Sequence, residues 1–139
     1  METLAHCLMK QVQNLAPEFV WEELSLVLVG DEGIRDLNEE YFNKQAITDV
    51  ISFAYPPEPG IQGDTGEVII NVAQAWYEGR EREGPDRELA LYIAHGCHHL
   101  MGAEDDTPAK KAAMLQLENQ WVDDSQYQGL FVPEGTASR

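Results

Sequence analysis

Positive charge is scarce in this chain. Its 139 residues carry nine Lys and Arg against 25 Asp and Glu, a formal net charge of −16, and the sequence pI is near 4.3. That balance argues against non-specific, charge-driven binding to naked nucleic acid, because phosphate contacts need Lys and Arg. Cysteine is scarce as well. Cys7 and Cys97 are the two thiols, too few for a disulfide framework, and a reducing cytoplasm is the simpler setting. Long apolar runs are missing, and none approaches the length that crosses a bilayer. Residues 1–13 do not read as a secretory signal; Leu4, Leu8, Val12 and Leu15 recur at helical spacing and predict an amphipathic first helix.

What is present suits one packed domain. The chain is 43% hydrophobic, and its length fits a single core. Residues 24–29, Leu-Ser-Leu-Val-Leu-Val, read as a buried strand ending at Gly30. Asp31 is placed to cap a helix with Ile34, Leu37 and Tyr41 on its apolar face. Residues 48–53 and 67–71 read as two more strands, separated by a loop rich in Pro and Gly. A helix over 72–82 is expected to bury Ala73, Trp76 and Tyr77. Asp86 is expected to cap a strongly apolar helix over 87–101 that Gly102 ends. Thr107 and Pro108 open a last helix with Met114, Leu117 and Trp121 on one face. The expectation is an α+β domain over 1–124: a small mixed sheet of three to four strands packed with about five helices, followed by a loose tail over 125–139.

Chemistry concentrates on the apolar helix. His95 and His99 are four residues apart, so their rings project from one face on successive turns. Two imidazoles so placed can chelate one divalent ion, and Glu104, Asp105 or Asp106 can close a third side once the chain turns at Gly102. Such a set suits zinc and leaves a position open for water, which then ionises near neutral pH and can attack a phosphorus or carbonyl centre. A His-x-x-x-His pair alone is not specific; the turn glycine and the acidic cluster strengthen it. Cys97 points about 100° away from each neighbour and reads as packing. His98 reads as packing or as support for the ligand pair rather than as a third imidazole. Metallopeptidase helices place Glu after the first His as general base; here Gly96 stands there, so either the helix packs tightly or something approaches it closely. Glu67 is the most arguable acidic candidate for a base. Arg80, Arg82 and Arg87 precede the helix; the plain reading is a solvated segment.

The stretch His95-Gly-Cys-His-His-Leu-Met-Gly-Ala-Glu-Asp105 resembles the His-Gly-x-x-His-Leu-x-Gly-x-x-His signature of the YbeY family, bacterial endoribonucleases that mature ribosomal RNA. Leu37-Asn38, Tyr41, Thr48-Asp-Val-Ile-Ser-Phe53, Gly66-Glu-Val-Ile-Ile70 and Glu118 match further features in the same order, over about Leu26 to Trp121. The resemblance implies a single-strand-specific, zinc-dependent endoribonuclease of small-subunit rRNA 3′-end maturation, ribosome assembly or quality control. It implies one Zn2+ held by His95, His99 and Asp105, with these three catalytic through the water on the metal. It also implies ribosomal RNA or the small ribosomal subunit as partner, with protein contacts there. Asp105 stands where the signature has His, and His98 where an aliphatic residue is usual. Phe42 stands where the family has an Arg thought to hold phosphate, which leaves Lys44, Arg80, Arg82 and Arg87 as a possible basic rim. Two other readings stay open: a metal-stabilised assembly factor without catalysis, and a zinc hydrolase of another substrate class.

Overall fold

The computed structural model describes residues 2–15, 21–44, 47–55, 64–100, 106–125, 127 and 130. Its elements run α1 (Glu2–Leu15), β1 (Trp21–Val29), α2 (Asp31–Phe42), β2 (Val50–Tyr55), β3 (Asp64–Asn71), α3 (Val72–Arg80), α4 (Pro85–Leu100) and α5 (Pro108–Asp123). The three strands form a mixed sheet in the order β1-β3-β2, with β1 parallel and β2 antiparallel to β3. This is the small α+β arrangement expected, with five helices.

β3 is the middle strand and is covered on both faces, which explains its unbroken apolar run. Val68 and Ile70 point into the main core with α1 and α4, while Ile69 points the other way, toward Ile34 of α2 and Ile51 of β2. The same split accounts for the poor alternation of β1: Leu24 and Leu26 join the main core, and Val27 and Val29 join the α2 side. On β2, Val50 packs with the α4 side, whereas Ile51 and Phe53 pack with the α2 side. A strand's side chains alternate between its two faces, so every β2 and β3 position is thereby assigned to one side of the sheet.

α4 is the central helix, buried over most of its circumference, as an all-round apolar pattern requires. Gly96 makes its seat on the sheet possible. A Cβ there would stand 2.5 Å from Val68 Cγ1 and 3.2 Å from Ser52 Oγ and Val50 Cγ2. The Ser52 hydroxyl donates to the Gly96 carbonyl at 3.0 Å, bonding strand to helix at the same point. Of the two readings of Gly96, tight packing is the one found. A Glu at this position has no room, so the peptidase arrangement is sterically closed.

Several local expectations change. The N-cap of α2 is Gly30, and Asp31 is the first helical residue; its carboxylate is taken by the Asn71 amide at 2.7 Å. α4 starts at Pro85, ahead of Asp86, with the Glu88 N–H bonded to the Gly84 carbonyl. α3 buries Ala75 and Gly79, while Trp76 and Tyr77 face outward. The reason is again proximity: a Cβ on Gly79 would meet the Pro85 backbone at 2.5 Å, so only small residues fit between α3 and α4. Tyr41 is exposed, its ring 5.0 Å from Phe53. Thr107 caps α5 as expected, accepting from the Lys110 N–H. Of the described residues beyond 124, Tyr127 and Leu130 pack against the core and the Ser125 hydroxyl donates to the Trp121 carbonyl. Residues 131–139, Gly102 and the Pro-rich loop over 56–63 lie outside the described residues. Among the described residues no helix is long and apolar enough to cross a membrane.

Gly96→Ala should lower stability by about 1–3 kcal/mol, the usual cost of overpacking a filled core. Val68 is β-branched and fully buried, so it has little freedom to yield. Thermal melting by circular dichroism reads the loss; an unchanged melting temperature would mean that helix and sheet lie further apart.

Candidate active site

α4 carries His95 and His99 on the face that looks toward β2. Their Nε2 atoms lie 2.9 Å apart and the rings meet edge to face. Both line a cleft of about 500 Å³ together with Thr48, Asp49, Val50, Ser52, Ala54 and Leu100. Val50, Ser52 and Ala54 are the alternate residues of β2 on the α4 side, so one strand face forms one wall.

Behind the cleft stands Glu118, on the inward face of α5 and 1% exposed. Its carboxylate lies 3.1 and 3.0 Å from His95 Nδ1 and 2.9 Å from His98 Nδ1. Burial by itself would raise the Glu118 pKa, but the hydrogen bonds from His95 and His98 outweigh it and hold the group below the usual carboxylate range. An ionised carboxylate only accepts, so both Nδ1 atoms donate. In neutral His95 this puts the proton on Nδ1 and leaves the Nε2 lone pair facing His99. That is the posture of a metal-ligating imidazole with a carboxylate behind it. His98 is itself buried, its ring edge-on to Trp121 at 4.9 Å, so it supports the site from inside. Cys97 is fully buried, and burial pushes its thiol up to about 12, which makes it packing and no nucleophile.

Two convergent imidazole nitrogens fit a divalent ion in chemistry. Two ligand nitrogens on tetrahedral zinc stand about 3.3 Å apart, so the pair would open by a few tenths of an ångström. Among the described residues no third His, Cys, Asp or Glu completes a metal-holding group. Asp105 and Glu104, two of the candidates for that place, lie outside the described residues. Asp106 is exposed and pairs with Lys110 at 3.2 Å.

Other expected residues are placed elsewhere. Glu67 sits beside Val68 and opposite Phe53 on the α2 side of the sheet, the face away from the histidines, so it is no base for this cleft. Arg87 is buried and engaged: its guanidinium meets Asp123 at 2.7 Å, Asn119 Oδ1 at 3.0 Å and the Tyr127 ring at 5.7 Å, with Glu83 as a further charge partner at 2.8 Å. Arg82 bridges Glu78 and Glu88. Arg87 and His99 are twelve residues apart on one helix, a rise of about 18 Å. Arg82 and Arg87 therefore form a structural clasp at the far end of α4, and Arg80 is exposed beside it. Lys44 is exposed just past α2 and is not among the cleft-lining residues. Phe42 is half exposed and stacks parallel on Phe53 at 5.9 Å, also on the α2 side.

Two residues were not singled out for chemistry by sequence. Glu118 fits the apolar stripe of α5, four residues after Met114 and three before Trp121; a carboxylate on that stripe was the available signal. Asp49 lines the cleft; it belongs to the Thr48–Phe53 stretch that carries part of the family resemblance, but that stretch gave it no chemical role.

A small α+β domain with a histidine pair braced by a buried glutamate is a class of site suited to metal-assisted hydrolysis. The chain belongs to the family described as Endoribonuclease YbeY, whose model matches residues 1–126. It is 37% identical over 118 residues to an Endoribonuclease YbeY of Anaeromyxobacter sp. strain Fw109-5, covering 84% of this chain and 62% of that protein. It is 39% identical over 97 residues to that of Anaeromyxobacter dehalogenans, covering 69% and 50%. The chain thus spans less than two thirds of the length of these relatives. The fold is also that of a protein from Thermotoga maritima solved in solution, with a TM-score of 0.59 at 22% identity, over 88% of this chain and 79% of that one.

With zinc as the expected ion at the histidine pair, Glu118→Gln should weaken its binding by about 10- to 100-fold, because an amide cannot accept from both imidazoles at full strength. Competition with a chromophoric chelator measures it; wild-type affinity in this variant would detach Glu118 from the site. Arg87→Met should lower the melting temperature and leave RNA affinity per folded molecule unchanged, as a filter-binding titration can show.

Proposed function

We propose that this chain is a zinc-dependent, single-strand-specific endoribonuclease that acts on ribosomal RNA in 3′-end maturation of the small subunit, in the cytoplasm. The observation that carries this reading is the convergence of His95 and His99 Nε2 at the cleft, with His95 held in its ligating tautomer by Glu118. Asp105 is the third ligand in this proposal. The pairing of Asp106 with Lys110 supports that choice, since it gives Asp106 another use. The relatives named above are called endoribonucleases, which supports RNA as the substrate class.

Bound zinc supplies Lewis-acid polarisation and a nucleophile at neutral pH. The chain supplies the rest. His95 presents its Nε2 lone pair, His99 would present its own with its proton on Nδ1, Glu118 fixes the ring that it touches, and the Thr48–Ala54 wall bounds the space for a phosphodiester. With Arg82 and Arg87 committed to carboxylates, the chain's own surface contributes few phosphate contacts. That favours protein contacts on the small subunit as the means of targeting, and it gives a specific ground for a second reading, a metal-stabilised assembly factor without catalysis.

Zinc content and cleavage of single-stranded rRNA fragments decide between them. His95→Ala and His99→Ala should each lose tight zinc and lose cleavage, and Asp105→Ala should lose far more zinc than Asp106→Ala. Near-stoichiometric zinc in either histidine variant would remove the proposed site. Zinc-loaded wild type that leaves RNA intact would favour the assembly-factor reading.

A further inference from the structure

The cleft lacks an assigned proton acceptor once Glu67 is placed on the other face of the sheet. Among the described residues that line it, Asp49 is the one carboxylate. It is also the best-anchored part of the wall. Its Oδ1 accepts from the Val50 N–H at 2.8 Å and from the Thr48 hydroxyl at 3.3 Å. Both of these bonds use Oδ1.

The backbone under Asp49 is fastened by Asn71, a fully buried side chain at the end of β3. The Asn71 N–H donates to the Asp49 carbonyl at 2.8 Å, and its side-chain amide donates to the Thr48 carbonyl at 3.1 Å and to Asp31 Oδ1 at 2.7 Å. Asn71 Oδ1 accepts from the Gln74 N–H as the cap of α3. One residue thus ties the Thr48–Asp49 wall to the sheet, α2 and α3. Such anchoring suits a group that must hold its place during a reaction. Asp49 also stands close enough to α4 for its charge to matter there: burial raises the Tyr92 pKa, and Glu88, Asp49 and Glu78 add to the rise.

We propose that Asp49 is the proton acceptor of RNA hydrolysis in this cleft, with Asn71 as the residue that positions it. The proposal rests on the endoribonuclease reading. One proton of the attacking water passes to Asp49 Oδ2 while the water oxygen bonds to phosphorus. The P–O bond to the leaving ribose oxygen breaks, and that oxygen keeps the electron pair and takes a proton from bulk water. Asp49 then returns its proton to bulk water.

Asp49→Asn keeps the size of the side chain and an oxygen for Val50 and Thr48, but it cannot take up the proton. In zinc-loaded protein acting on a single-stranded oligonucleotide of the rRNA 3′ end, kcat should fall by about 10²- to 10⁴-fold, the range for a lost general base. KM, RNA binding, zinc content and melting temperature should stay as in wild type. Asp49→Ala should regain cleavage on addition of formate, which no purely structural role produces. Cleavage by Asp49→Asn within threefold of wild type would overturn the assignment. So would a loss matched by equal losses of RNA binding or folding, with no formate rescue of Asp49→Ala. In both cases cleavage by wild type that His99→Ala abolishes leaves the endoribonuclease reading standing. If zinc-loaded wild type cuts no RNA, that reading falls and this assignment falls with it.

Discussion

α4 lies against the sheet at a distance that leaves no room for a single Cβ at position 96, and the site is built on that approach. Because the helix seats on Val68, Ser52 and Val50 there, the residues on either side of Gly96 have their directions set. His95 and His99 turn toward the free side of β2, where the strand's α4-facing residues meet them across the cleft. His98 and Cys97 turn inward, one to α5 and the other into the core. A longer side chain at 96 would lift the helix and separate the histidines from the wall that completes their cleft.

The second constraint is electrostatic. A carboxylate as buried as Glu118 is costly unless it is hydrogen-bonded and paired. Two imidazole N–H groups meet that need, and in meeting it they bind α5 to α4 and select the tautomer of His95. The stabilising interaction and the chemical preparation of the site are the same three side chains. At the opposite end of α4, Arg87 plays the corresponding part with Asp123 and Asn119 of α5 and the ring of Tyr127. α5 is therefore gripped near both ends of α4, which explains why its buried face mixes Glu118 with Met114, Trp121 and Val122.

Much of this was legible in the residue pattern, because the relevant signals are local. Three apolar runs gave three strands, Thr107-Pro108 gave the start of α5, and the four-residue spacing put His95 and His99 together. The misreadings share a cause: they depend on how closely two elements approach. Trp76 and Tyr77 looked like a buried face because they are large and aromatic, but the contact between α3 and α4 admits only Ala75 and Gly79. Arg82 and Arg87 looked like a basic rim because the sequence does not display their carboxylate partners, some of which come from α5. Glu67 is only a candidate base from its sequence, because strand alternation alone does not tell which face carries the site. Asp49 stands in the Thr48–Phe53 run, but its place in one cleft with His95 and His99 depends on how β2 comes back beside α4, which that run does not display.

The acidity of the chain can then be weighed against its proposed substrate. Repulsion from RNA acts over about a Debye length and is screened at physiological salt, whereas a site-bound divalent ion acts at contact. The cleft wall is largely uncharged, with the hydroxyls of Thr48 and Ser52 set among Val50, Ala54 and Leu100. Both hydroxyls are engaged within the protein, Ser52 with the Gly96 carbonyl and Thr48 with Asp49, and Phe42 offers an uncharged ring stacked on Phe53. Under the proposed function, such a surface would hold RNA weakly by itself. On the endoribonuclease reading, that combination limits cleavage to RNA already brought to the site by other contacts, which is a physical reason for an RNA-cutting protein to carry a net charge of −16.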